Sequence, residues 1–255
     1  IVAILGAIYL IERLRDTPQS LGLPPIEEYR GEAHVTDEHE DTALSLKEIL
    51  FEHVLCNRLV WYVSLANFFV YIVRIGVLDW APTFLVEAKG SSLGLAGFKV
   101  AGFEIAGIFG ALAAGWISDR VFKGRRGPAN VLFMLALIFF TVYLWVIPAG
   151  NPWLDGAVLV AIGFLVYGPQ MLVGVAAADF ASKKAAATAT GMTGLFGYLG
   201  STVCGIGTGL VVDRWGWDGG FIFFIASAIL GTLFFLLTWG HRSAVLESIH
   251  NNGGK

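Results

Sequence analysis

Asn67, Tyr71 and Arg74 stand at i, i+4 and i+7 within a long apolar run from Leu59 to Val86. On a helix that spacing puts all three on one face, while Phe68, Phe69, Val70, Ile72, Val73 and Ile75 occupy the others. A cation at the centre of a bilayer costs at least ~2.5–3.5 kcal/mol on insertion scales. The polar stripe must therefore face protein or a water-filled cavity, and an anion must compensate Arg74. Guanidinium is planar, permanently charged and matches phosphate with two parallel hydrogen bonds. The chemistry these residues predict is binding of a phosphate-bearing anion. The competing structural reading is an ion pair of Arg74 with Glu104, a second intramembrane charge, or with Asp79.

Two later apolar stretches carry related stripes. Gly163, Tyr167, Gln170 and Gly174 lie beside Pro169, and Thr190, Thr193, Tyr198 and Ser201 offer hydroxyls. Gly191, Gly194, Gly197 and Gly200 recur every third residue, so a neighbouring helix can approach closely there. The candidate substrate-binding set is Arg74, Tyr71, Tyr167, Tyr198, Asn67 and Gln170. The tyrosines have an alternative reading as helix-packing aromatics. No nucleophile–base pair, metal-ligand cluster or phosphate-cradling glycine loop accompanies them, which argues against an enzyme; no cofactor and no metal are expected. The five histidines lie in polar segments or at membrane boundaries. Cys56 and Cys204 read as packing residues.

The elements that must position this set are membrane spans. Of 255 residues, 56% are hydrophobic and only 15% charged, against about 25% charged in soluble domains; the mean hydropathy is +0.68. The net charge of -3 reflects segregation, because eleven of the twenty acids lie between Glu12 and Glu52. Nothing suggests a nucleic-acid surface. Apolar stretches near 59–87, 94–119, 129–148, 156–179, 185–212 and 219–240 are each long enough to cross a bilayer. Six crossings put both of their ends on one side. The loop holding Arg120, Lys123, Arg125 and Arg126, and that holding Lys183 and Lys184, share this side, so the positive-inside rule makes it cytoplasmic. Lys89, Lys99 and Arg214 lie near loops of the other side, with Trp80, Trp153, Trp215 and Trp217 as an interfacial belt. Every Lys and Arg except Arg74 is thus expected in a loop, a tail or a helix end.

An internal echo sets the topology. GWISDR (Gly115 to Arg120) ends the second span and GLVVDR (Gly209 to Arg214) the fifth, while the first and fourth each carry an internal proline, Pro82 and Pro169. Spans one to three thus repeat as four to six with opposite orientation, a three-plus-three inverted arrangement. Asp119, Arg120, Arg125 and Arg126 read as a gating or topology element. The opening IVAILGAIYLIERL is expected to be the tail of a cut transmembrane helix, making the chain a fragment. The expected division is 1–13 truncated helix, 14–57 cytoplasmic linker with Pro18, Pro24 and Pro25 and a short surface helix from Thr42, 58–241 six-helix unit, and 242–255 cytoplasmic tail.

The motifs RDTPQSLGLPPIEEY, VYIVRIGVLDWAPT, GWISDRVFKGRRG, YGPQMLVG, KKAAATATGMTGLFGYLG and DRWGWDGGF run through the whole chain. With them the chain resembles the C-terminal half of a major facilitator superfamily carrier of the organophosphate:phosphate antiporter family. The resemblance implies an all-α membrane protein exchanging an organic phosphate for inorganic phosphate by alternating access. It further implies a bacterial inner membrane, with the missing N-terminal half of the same protein and the lipid bilayer as partners. In the family's glycerol-3-phosphate branch, favoured by WGWDGGF and GLFGYLG, the C-terminal phosphate-binding arginine falls on Arg74, and Tyr71, Tyr167 and Tyr198 match cavity-lining aromatics. YGPQMLVGVAAADF leans to the branch of hexose-6-phosphate carriers and transporter-like sensors. That branch's carrier has an Asp-x-x-Lys pair where this chain has Thr190 and Thr193.

Overall fold

The computed structural model describes residues 2–15, 18–24, 47, 49–181 and 185–241. Lys183, Lys184, most of the linker with the start of its expected surface helix, and the tail lie outside the described residues. The chain divides into two compact units, Ile1–Leu44 and Ser45–Lys255. The first holds α1 (Val2–Arg13) and a 3₁₀ turn, Pro18–Leu21. No strand occurs among the described residues.

The second unit opens with a π-helical segment, Ile49–Leu55. It continues as α2 (Arg58–Glu87), α3 (Leu93–Arg120), α4 (Arg126–Val146), α5 (Pro152–Phe180) and α6 (Ala186–Leu236). Each start has a local reason. Asn57 accepts from Leu59 and Val60 amides, Ser92 from Leu95, and Asn151 from Leu154 with Pro152 at the first helical turn. Pro82 and Pro169 are absorbed within continuous helices.

All five long helices are apolar enough to cross a membrane, and α6 has 51 residues. Its rise would be about 76 Å if straight, far beyond a ~30 Å hydrocarbon core. Gly216, with φ 66 and ψ -167, breaks it. Along the first arm, Thr193, Gly197 and Gly209 meet Asn67, Tyr71 and Trp80 in turn, so this arm runs parallel to α2. Along the second, Trp217, Phe224 and Phe234 meet Phe84, Gly76 and Phe69, so it runs antiparallel. The helix is a hairpin of two arms, so the described residues of the second unit hold six long apolar helical rods. The expected RWGWDGG separator is thereby corrected to one non-helical residue, which glycine permits because it has no Cβ to clash at positive φ. Trp217 Nε1 donates to Glu87 Oε2 at 3.1 Å and Trp145 Nε1 to Asp218 Oδ1 at 2.7 Å, fastening the vertex to the ends of α2 and α4.

Two pairs dominate the packing, α2 with α6 and α3 with α5; α2 runs parallel to the first arm of α6, and α3 runs parallel to α5. An inverted repeat requires this: it exchanges the first span with the fourth and the second with the fifth. Both contacts are made by glycine. A methyl at Gly200 would lie 2.2 Å from the Phe68 carbonyl oxygen, one at Gly163 2.2 Å from that of Phe103, and one at Gly110 1.8 Å from that of Phe164. Of the four glycines spaced by three, only Gly197 and Gly200 serve a close approach; Gly191 and Gly194 face open space.

Lys99, in the second turn of α3, lies beside the α2–α3 loop as expected but is buried there: it is 6% exposed, packs over Gly156, donates to Ser91 Oγ of that loop at 3.1 Å and lies 3.9 Å from Asp155 Oδ2. It sits on the face of α3 that meets the start of α5, where Asp155 supplies its counter-charge. Nearby Lys89 donates to the Ile147 carbonyl, and burial holds its ammonium below the usual lysine range against the opposing pull of Asp155. Cys56 is exposed rather than packed, while Cys204 is buried with Ile72 and Phe224. In the basic loop, Arg126 binds Asp119, Ser118 Oγ at 2.9 Å and Asp179 Oδ2 at 3.1 Å, tying the ends of α3 and α5 together. Arg125 Nε reaches the Phe122 carbonyl at 3.4 Å, and Arg120 is exposed.

Candidate functional site

Arg74 lies near the middle of α2, half-buried. Its Nη2 donates to the Tyr167 hydroxyl of α5 at 2.8 Å. That hydroxyl donates in turn to Glu104 Oε2 of α3 at 2.6 Å. The guanidinium carbon is 4.8 Å from the Tyr167 ring centroid and 5.8 Å from that of Tyr71. Both rings thus offer a negative π-face to the cation. The ion-pair reading is corrected by this arrangement. Glu104 reaches Arg74 only through a hydroxyl, whereas Lys99 and Arg126 each face a carboxylate directly.

The tyrosines are seated by glycines. Tyr167 lies against Gly107, where a methyl would come within 2.3 Å of its ring. Tyr71 lies against Gly197, where a methyl would come 2.9 Å from both the ring and the Asn67 amide nitrogen. The Tyr71 hydroxyl accepts from Gln170 Nε2 at 3.3 Å, and its ring meets that of Tyr198 edge-on at 6.1 Å. Asn67 Nδ2 donates to the Thr193 carbonyl at 2.8 Å. Arg74, Tyr71, Tyr167 and Gln170 therefore converge with Glu104 across α2, α3 and α5. Asn67 lies along the same α2 face, and Tyr198, 70% exposed, joins through Tyr71.

The hydroxyls expected on the fifth span serve the backbone instead. Thr193 Oγ1 donates to the Thr190 carbonyl at 2.7 Å, Thr190 Oγ1 to Gly174 at 3.4 Å and Ser201 Oγ to Gly197 at 3.3 Å. In an apolar span a short hydroxyl finds a carbonyl of its own or a touching helix within reach.

Gly197→Ala is expected to displace Tyr71 and Asn67 and to lower stability by ~1–3 kcal/mol. Gly191→Ala, in open space, serves as the control. Thermal unfolding in detergent compares them; equal midpoints would refute the seating role.

The sequence profile described as Major Facilitator Superfamily matches residues 1–205. The chain belongs to the Major Facilitator Superfamily. Among its curated superfamily relatives, the glycerol-3-phosphate transporter of Bacillus subtilis (strain 168) is 51% identical over 94% of this chain and 54% of its own length. A probable hexose phosphate transport protein of Chlamydia pneumoniae is 49% identical over 91% of this chain and 53% of its own. The membrane sensor protein UhpC of Escherichia coli (strain K12) is 40% identical over 92% and 54%. The chain spans about half the length of these curated relatives. Both branches that the motifs suggested are thus represented, and superfamily membership accounts for the paired three-helix packing. The sequence named Glu104 as an intramembrane charge but not the Tyr167 hydroxyl between it and Arg74. Its only signal was a second carboxylate deep within an apolar span.

Proposed function

We propose that the complete protein is a secondary antiporter that exchanges glycerol-3-phosphate, or a closely similar organic phosphate, for inorganic phosphate by alternating access. One observation carries this reading: a mid-span arginine lies against two tyrosines and, among the described residues, has no carboxylate in direct contact. Tyr167 and Glu104 hold the guanidinium while it is empty, and a phosphate dianion replaces that neutral hydroxyl with charge-assisted acceptors. Arg74 binds phosphate; Tyr71, Tyr167, Tyr198, Asn67 and Gln170 shape the space around it. The name of the Bacillus relative supports glycerol-3-phosphate. The membrane is the bacterial plasma membrane, with the linker and the C-terminal tail on the cytoplasmic side. The loop of Asp119, Arg120, Arg125 and Arg126 acts in gating on that side.

Two six-helix halves rock about the site in this reading, and an N-terminal half brings the second cationic anchor. The ligand shifts the equilibrium between open and closed forms only by its differential affinity for the closed one. Vesicles holding only this chain are therefore expected to exchange phosphate far more slowly than vesicles holding the full-length protein. Comparable rates would overturn the two-half mechanism.

A second reading, a sugar-phosphate sensor with the same fold, is favoured by the similarity to UhpC. Uptake of labelled organic phosphate into phosphate-loaded proteoliposomes by the full-length protein separates the two. Binding without uptake would select the sensor.

A further inference from the structure

Six buried side-chain atoms among the described residues have no hydrogen-bond partner, and three belong to this site: Asn67 Oδ1, Arg74 Nε and Gln170 Oε1. The concentration is informative, because buried polar atoms are satisfied almost everywhere in folded proteins. What is unmet is one donor and two acceptors. The orientation of Asn67 is fixed by chemistry: its amide nitrogen faces the Thr193 carbonyl, which can only accept, so the oxygen is the end left over. Gln170 places its nitrogen on the Tyr71 hydroxyl and leaves its oxygen without a partner; that hydroxyl donates as well as accepts, and a ligand alcohol, which does both, pairs with either end of this amide. An anion alone does not complement this set. Phosphate oxygens suit Arg74, but the Asn67 oxygen requires a donor, and an alcohol hydroxyl is the neutral donor that accompanies a phosphate ester.

We infer that Asn67 and Gln170 are specificity-determining residues that hydrogen-bond the alcohol hydroxyls of an organic phosphate whose phosphoryl group Arg74 holds. This inference rests on the phosphate role proposed for Arg74. The two act at different depths. Gln170 bonds Tyr71, one helical turn from Arg74, whereas Asn67 lies two turns away, about 10 Å along α2. Gln170 therefore reads hydroxyls close to the phosphate, as in a three-carbon ester. Asn67 reads those at the far end of a six-carbon sugar phosphate. Opening of the Arg74–Tyr167 contact on phosphate binding admits the ligand to both amides.

The test uses the full-length protein in proteoliposomes and measures competition by inorganic phosphate, ethyl phosphate, glycerol-3-phosphate and a hexose 6-phosphate. The readout is the affinity of each hydroxylated ester relative to ethyl phosphate in the same preparation. Partial loss of folded protein cannot imitate a change in that ratio. Gln170→Met is expected to lower the ratio for both hydroxylated esters roughly 5- to 10-fold, the loss of one buried hydrogen bond. Asn67→Leu is expected to lower it for the hexose ester alone. If Asn67→Leu does not fold, Gln170→Met decides. Ratios unchanged from wild type would overturn the inference and leave the Arg74 reading standing, as would a wild-type protein that does not distinguish glycerol-3-phosphate from ethyl phosphate. A wild-type protein that binds none of the four would overturn the proposed function itself.

Discussion

Arg74→Lys in the full-length protein is expected to bind inorganic phosphate roughly 10- to 100-fold more weakly than wild type. A hydrogen bond to a charged group contributes ~1.5–3 kcal/mol, and each 1.4 kcal/mol is about tenfold in affinity. The substitution keeps the positive charge, so the cost of holding a cation in the span is largely unchanged. It removes the planar fork that meets two phosphate oxygens at once. It also removes the contact with the Tyr167 hydroxyl, 2.8 Å from Nη2 in the native site. Equilibrium competition against labelled phosphate, with folding checked by thermal unfolding, measures the effect. Near-native affinity in a folded Lys variant would remove Arg74 from the binding role.

Gly110→Ala should have the largest effect on the fold. Its new methyl would lie 1.8 Å from the Phe164 carbonyl oxygen and 2.6 Å from the carbonyl carbon. Both are backbone atoms, so no rotamer change relieves the clash, and α3 and α5 must separate. Overpacking costs about 1–3 kcal/mol where side chains can yield, and a backbone obstacle belongs at or above that upper end. Separation would also lengthen the Tyr167–Glu104 bond, which spans the same two helices. Gly94→Ala on the same helix has no neighbour within 4 Å and should gain a little from helix propensity. The expected result is a much lower unfolding midpoint for the first variant and a native or higher one for the second. Equal midpoints would show that the α3–α5 contact is not held by backbone proximity.

The legible parts of this molecule were those governed by short-range periodicity. Asn67, Tyr71 and Arg74 share a face because a helix repeats every 3.6 residues, and the stripe of Tyr167 and Gln170 follows the same rule. Contacts between distant segments were not legible. Lys99 and Asp155 are 56 positions apart, and only the α3–α5 crossing brings them together. The hydroxyls of Thr190, Thr193 and Ser201 looked free because a sequence does not display the carbonyls they reach. At Gly216 the flanking tryptophans, aspartates and glycines suggested a loop. A single residue at positive φ turns the chain instead, since the bonds to Glu87 and Trp145 hold the vertex.

That vertex has a mechanical consequence. A turn of one residue has no slack: the two arms of α6 can swivel about Gly216, but neither can slide along the other. Both arms grip α2, one at Asn67 and Tyr71 and the other at Gly76 and Phe84. A pull on Arg74 therefore cannot be dissipated by a yielding loop. Any displacement of α2 at Arg74 would have to carry both arms of the hairpin with it, because both are packed on that helix.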